Sequence, residues 1–183
     1  MNLAASWKEV DPTTYVYDLR TDVTFHDGAP LTAEDVKFSF DRIRDPKVGS
    51  FLAQFHERVQ SVDVTGPSQI TVRLSKPDAT WKYTPATLAG AVVEKKFVEA
   101  HPEDVGQAGV GIVGTGPYRF VSWEPGQSIV LEAYDGYWDT AHAPKVKKVT
   151  IRVIKDEATI VAGLGSGEID GTFAIGGRSA KTV

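Results

Sequence analysis

Residues 109–120, GVGIVGTGPYRF, decide which fold this chain can have. Gly109, Gly111 and Gly114 satisfy G-x-G-x-x-G, a spacing that cradles a dinucleotide pyrophosphate when a buried strand precedes it and a helix N-terminus follows at once. Neither neighbour is present. Upstream lies the polar HPEDVGQA, and downstream Gly116-Pro117 blocks helix entry before the strand-like YRFVSW. No Lys-Ser or Lys-Thr pair follows, so a phosphate loop fails as well. The glycines lead from a loop into a strand, and no nucleotide site is assigned.

The chain has 183 residues, enough for one domain or two small ones with a real core. Its hydrophobic fraction of 42% and charged fraction of 24% are those of an ordinary globular protein. A net charge of -4 gives no general attraction to nucleic acid or anionic membrane. The absence of cysteine excludes disulfides, thiolate metal sites and cysteine catalysis, and leaves the compartment undecided. The apolar runs fall far short of a membrane span, and MNLAASWKEV lacks the basic-then-apolar pattern of a signal peptide.

Around the glycine loop, TYVYDLRTDVTF puts Tyr15, Tyr17 and Leu19 on one face and Val16 and Asp18 on the other, the period-two pattern of a strand. The turn HDGAPL ends it, and Thr32 opens TAED, a capping-box-like start. A helix is predicted from Ala33 with Val36, Phe40 and Ile43 on its apolar face, ending at Asp45-Pro46. RVQSVDVTGPSQITVRLSK predicts a hairpin about Gly66-Pro67. KPDATWKYTPATLAG reads as irregular or briefly helical, and EKKFVEAH as a short helix packing Phe97 and Val98. YRFVSW, EPGQ and SIVLEAY make a second hairpin. VKKVTIRVI, KDEATIVAGLGSGE and IDGTFAI predict strand, helix and strand in a parallel crossover.

Residues that look chemical have bland readings that outweigh the sharp ones. His26-Asp27 are adjacent on a turn and are poorly placed to face each other as a catalytic dyad. His26, His56, His101 and His142 are scattered without zinc-site spacing. Ser6, Ser39, Ser50 and Ser122 occupy no nucleophile elbow. Tyr134, Tyr137 and Trp138 read as packing rather than a ligand-stacking face. Glu168 and Asp170 read as caps that accept backbone N–H groups. No catalytic residue, metal site or cofactor is assigned.

LRTDVTFHDGAPLTAEDVKFSFDRIRDP closely resembles the LR-x-x-V-x-FHDG-x-PLTAEDV-x-FSF segment of extracellular solute-binding proteins of family 5, the peptide and nickel type of ABC importers. GTGPYRFVSWEPGQSIVLEAYDGYWD followed by VTIRVIKDEATIVAGLGSGEID resembles that family's second signature, in matching order. The resemblance runs from about Trp7 to Asp170. It recasts His26, Asp27 and Gly28, then Gly114, Thr115, Gly116, Pro117 and Tyr118, then Tyr137 and Trp138, as structural motif residues.

The resemblance implies a mixed α+β chain, part of a type II (cluster C) periplasmic-binding fold with flanking helices, whose two lobes close on a ligand like a hinge. Residues 1–113 would match the accessory subdomain of the first lobe, and 114–183 a truncated part of the first ligand-binding lobe. Because family members are more than twice this long, the chain reads as a fragment, with a signal peptide or lipoprotein cysteine upstream of Met1 and a further lobe downstream. The intact protein would be periplasmic or extracellular, would take an oligopeptide or small solute, and would dock on ABC permease subunits without inserting in the membrane. The fragment would be prone to self-association through its exposed lobe face.

Two departures stand out. Where relatives carry aromatic or Arg-rich cleft residues, this chain has TLAGAVVEKKF, which places Leu88, Ala89, Gly90 and Ala91 near the cleft by position alone. TFAIGGRSAKTV leaves the family pattern and reads as a truncated strand plus a disordered tail. The ligand, whether peptide, nickel chelate or sugar, is left open. Two other readings are carried beside the importer component: a standalone hydrolase-like enzyme on a borrowed scaffold, and a lobe that serves only protein–protein interaction.

Overall fold

The period-two segment at 14–19 folds as the centre of an antiparallel sheet. In the computed structural model, which describes residues 3–173, four strands run β1 (Ala4–Asp11), β2 (Thr14–Leu19), β3 (Val59–Gly66) and β4 (Gln69–Leu74), in the order β1-β2-β4-β3. Tyr15 pairs with Val72, Tyr17 with Ile70 and Val62 with Val72, so one face carries a continuous apolar layer. Val72, Ile70 and Tyr15 are 0%, 1% and 2% exposed. Burying each such side chain contributes about 1.5–3 kcal/mol.

Helix α1 (Ala33–Arg44) covers that layer with Ala33, Val36 and Phe40, as its periodicity predicts. Its start is a full capping box: Thr32 Oγ1 accepts from Asp35 N–H, and Asp35 Oδ2 accepts from Thr32 N–H at 2.9 Å. Asp35 does a second job. Its Oδ1 accepts from Lys95 N–H at 2.9 Å and thereby caps the short helix α2 (Lys95–Ala100), whose own N-cap, Glu94, makes no side-chain cap bond. One buried carboxylate fixes both helix starts, and Ser39 Oγ, accepting from Val93 N–H, ties the approach to α2 onto the same turn of α1.

Three 3-10 turns, Phe51–His56, Trp81–Ala86 and Leu88–Gly90, close the end of this core, with Trp81 1% exposed. The turn at 51–56 was not anticipated, nor was β1. Most of β1 is exposed, so its apolar residues show no alternation that would reveal it.

A second sheet is made by β5 (Tyr118–Glu124), β6 (Ser128–Ala133) and β7 (Lys148–Arg152), all antiparallel, followed by α3 (Glu157–Ser166). No residue of these three strands is buried. The parallel crossover expected after β7 is corrected for its described part: residues 169–173 form no strand, and β7 takes its partner, β6, antiparallel. The remainder of IDGTFAI and the proposed tail lie outside the described residues. Glu168 is likewise corrected. It accepts from Arg152 Nη1 at 2.7 Å, an exposed ion pair, rather than capping backbone.

Glu94 is only 5% exposed, and its carboxyl is held above the ordinary glutamate value, first by burial, then by the Asp27 carboxylate, with Asp35 adding to the effect and Lys96 offsetting part of it. A folded-state value raised above the unfolded one favours the folded state below the unfolded value of 4.5, and that contribution is lost as pH rises through the raised value. Replacing Glu94 by Gln should therefore raise Tm at pH 7 and bring the variant and parent together near pH 4. An equal Tm difference at both pH values in thermal melts would contradict this assignment.

Candidate functional site

Phe25, fully buried, lies in the core in the middle of the first signature, and the next residue starts the junction between the two sheets. The turn FHDG is closed by Gly28 N–H donating to Phe25 O at 2.9 Å and by Ala29 N–H donating to Asp27 Oδ1 at 3.0 Å. Gly28 sits at φ 92, which a side chain would strain. Asp27 is thus spent on the turn, as read from its position, and no His26–Asp27 dyad forms.

His26 instead reaches the glycine loop. Its backbone N–H donates to Gly114 O at 2.9 Å, its Nε2 lies 2.9 Å from Gly116 O, and Gly114 N–H points at its Nδ1 at 3.4 Å. A carbonyl only accepts and an amide N–H only donates. The ring is therefore neutral with its proton on Nε2.

The aromatic cluster completes the joint. Tyr134 stands edge-on to His26 at 5.0 Å and donates its hydroxyl to Phe25 O at 3.1 Å, while its N–H donates to Pro117 O at 2.9 Å. Trp138 Nε1 donates to Thr115 O at 3.3 Å, the Arg20 guanidinium lies 4.7 Å over its ring, and Tyr137 packs on it at 5.3 Å. Tyr118 opens β5 and donates to Val146 O at 3.0 Å. Ten motif residues far apart in sequence thus meet in or beside one junction: His26, Asp27, Gly28, the run 114–118, Tyr137 and Trp138.

The glycines of the opening stretch have different duties. Gly111 has φ 70, and a Cβ there would meet the Phe120 ring at 2.3 Å, so this position needs glycine twice over. A Cβ on Gly114 would meet only ordinary contact, 3.8 Å from His26. What position 114 contributes is its backbone, one N–H and one C=O, both taken by His26.

Between the units runs an apolar groove of about 710 Å³. One wall is residues 90–93, the floor is residues 111–116 with His26, and the other wall is the sheet face of Phe120, Trp123, Ile129, Leu131 and Ile151. Among the described residues, no Asp, Glu, Lys or Arg lines it. Of the four residues placed near a cleft by position, Gly90 and Ala91 line this groove. The Leu88 side chain is 72% exposed and Ala89 is 1% exposed with its carbonyl turned to His56, so neither faces the groove.

His101 pairs with Asp104 and His142 with Asp139, and among the described residues no cluster suited to a metal ion occurs. Ser39 bonds Asp35 O and the backbone at Val93, and Ser6 bonds Asp18.

Replacing His26 by Phe keeps a ring against Tyr134 but strands the Gly116 carbonyl and the Gly114 amide. Chemical denaturation should show a loss of about 1–3 kcal/mol, against less than about 0.5 kcal/mol for His142→Ala at an exposed site. A His26→Phe protein as stable as the parent would contradict the role given to the ring.

The chain is 30% identical over 172 residues to the probable D,D-dipeptide-binding periplasmic protein DdpA of Escherichia coli K12, covering 92% of this chain and 33% of that one. OppA of Burkholderia pseudomallei superposes with a TM-score of 0.86 at 27% identity over 94% of this chain and 37% of its own. NikZ from Campylobacter jejuni, solved in complex with Ni(L-His), superposes with a TM-score of 0.78 at 29% identity, covering 91% and 33%. The chain thus spans about a third of the length of these relatives. Its mixed α+β fold is that of type II periplasmic-binding structures, and no helix among the described residues is long and apolar enough to cross a membrane. The profile described as bacterial extracellular solute-binding proteins, family 5 middle, matches residues 1–182, and the chain belongs to that family.

Proposed function

We propose that this segment is part of the substrate-binding component of an ABC-type importer that captures peptides or related small solutes. The observation that carries this reading is the apolar groove built where the two family signatures meet, floored by the His26–Gly114–Gly116 junction. A groove without charged lining suits the side chains and backbone of a peptide better than its charged termini, which would be held by sequence beyond this segment. In the intact protein, closure of two lobes would bury the solute and present both lobes to the permease.

The division at 113/114 fits this scheme. Residues 1–113 carry the buried core cluster and would be the accessory subdomain, and 114–183 would be part of the first ligand lobe. Gly90 and Ala91 are the cleft residues we retain from that region, with the motif residues serving structure. The protein would act outside the cytoplasm, in the periplasm or extracellularly, anchored as a lipoprotein or free, and its contribution would be binding rather than catalysis. The enzyme alternative has no converging nucleophile and base among the described residues to support it.

One observation favours a second reading, a lobe that engages only protein. With no buried residue in β5, β6 or β7, the sheet face offers its apolar side chains to a covering surface, and a lone segment would self-associate through it.

Thermal melts with and without excess di- and oligopeptides separate the two readings. Peptide at about 100 times Kd stabilises by about 2.7 kcal/mol, a Tm rise of several degrees. A Tm that no peptide moves, together with a concentration-dependent mass in solution, would overturn the peptide-binding reading and leave the interaction lobe.

A further inference from the structure

His56 ends the 3-10 turn Phe51–His56 and is 1% exposed. Its ring stands edge-on to Phe40 of α1 at 5.1 Å and to Trp81 at 5.4 Å, both at 88°. Nε2 lies 2.8 Å from Ala89 O, which only accepts, so Nε2 carries the proton and Nδ1 is bare. Nδ1 has no hydrogen-bond partner in that cage.

Ala89 sits inside the turn Leu88–Gly90, whose hydrogen bonds are local: Gly90 N–H to Thr87 O, Ala91 N–H to Leu88 O, and Ala89 N–H to Thr87 Oγ1. Leu88 points to solvent. The His56–Ala89 bond is therefore the hydrogen bond that ties this turn to the core, beside the burial of Ala89 and Gly90. Directly after it, residues 90–93 form a wall of the groove. His56 bonds the residue that precedes that wall and does not line the groove.

A second proton has nowhere to go. It would place an N–H and a full charge at Nδ1 between two aromatic rings. The charged group that acts on the ring from α1 is the Arg44 guanidinium, which repels it, and Asp41 on that helix is already engaged by Lys37 and Arg44. The 3-10 turn at 81–86 contributes Trp81, beyond which lies the Tyr17 hydroxyl, held protonated by burial. The turn at 88–90 contributes only its carbonyl.

We propose that His56 is a positioning residue and proton-operated latch: neutral, it holds residues 88–91 against the core, and protonated, it releases them, while Val93 stays tied to Ser39. Its consequence for solute capture, a groove wall loosened in acid, rests on the groove being the solute site; the latch itself does not.

Burial, chiefly, and Arg44 hold the imidazole below the ordinary value of 6.5, with the Ala89 carbonyl offsetting part of the shift. A lowered folded-state value means that the latched state is fully favoured above the unfolded value. That preference is lost as pH falls from there toward the lowered value.

The test is NMR amide exchange of Gly90 and Ala91 at pH 7.5 and 5.5, corrected for intrinsic rates and run without solute, so that its outcome is independent of the peptide reading. One linked proton allows up to about tenfold loss of protection per pH unit in the parent. In His56→Gln, whose amide can still donate to Ala89 O but does not titrate, the corrected loss should stay under about twofold. An equal fall in both proteins overturns the latch. Should the variant not fold, the parent alone decides: amide shifts of residues 89–91 that follow the His56 imidazole titration support the proposal, and shifts that ignore it refute it.

Discussion

A neutral imidazole that donates from one nitrogen and accepts at the other holds the two halves of this chain together. His26 directly follows Phe25, which is fully buried, so the ring is delivered from the core. The partners it meets, Gly114 N–H and Gly116 O, lie in the loop that leads into the first strand of the second sheet. That sheet has no core of its own: every residue of β5, β6 and β7 keeps contact with solvent. Its placement therefore depends on polar contacts at one edge, made by His26, Tyr134 and Trp138, more than on apolar burial. The groove is the space this arrangement leaves, and its shape follows from the joint.

Protons enter the structure with opposing preferences. Glu94, crowded by Asp27 and Asp35, keeps its proton more tightly when folded, whereas His56 resists taking one. His26 needs Nδ1 bare to accept from Gly114. Acid thus relieves the carboxylate cluster at the start of α2 while working against the His56 imidazole. Asp35 lies between these effects, since it caps two helices with one buried carboxylate and links the start of α1 to the segment leading out of the groove wall.

Much of this was legible in the chain, for identifiable reasons. The strand at 14–19 and helix α1 each have one buried and one solvated face, which is what hydrophobic periodicity reports, and the capping box at Thr32 is a local rule. The glycine loop could be denied a nucleotide because Gly116-Pro117 forbids the helix such a site needs. β1 was silent because an exposed edge strand has no face to alternate. The crossover after β7 was overcalled from strand-like composition at 169–173 that finds no neighbour there. Cleft residues were placed by rough position, which could not foresee that Ala89 turns inward while Gly90 and Ala91 line the groove. His56 gave no signal, since a solitary histidine in FLAQFH carries no motif and its role arises only when Phe40, Trp81 and Ala89 are brought around it.

The account stands or falls on the protonation pattern of His26. Long-range proton–nitrogen NMR correlation of the imidazole at pH 7.5 reads it directly. A protonated Nε2 and a bare Nδ1, in slow exchange with any other form, are the result the junction requires. Averaged nitrogen shifts of a ring exchanging freely between tautomers, or a proton resident on Nδ1, would contradict it and would leave the second sheet without the tether described.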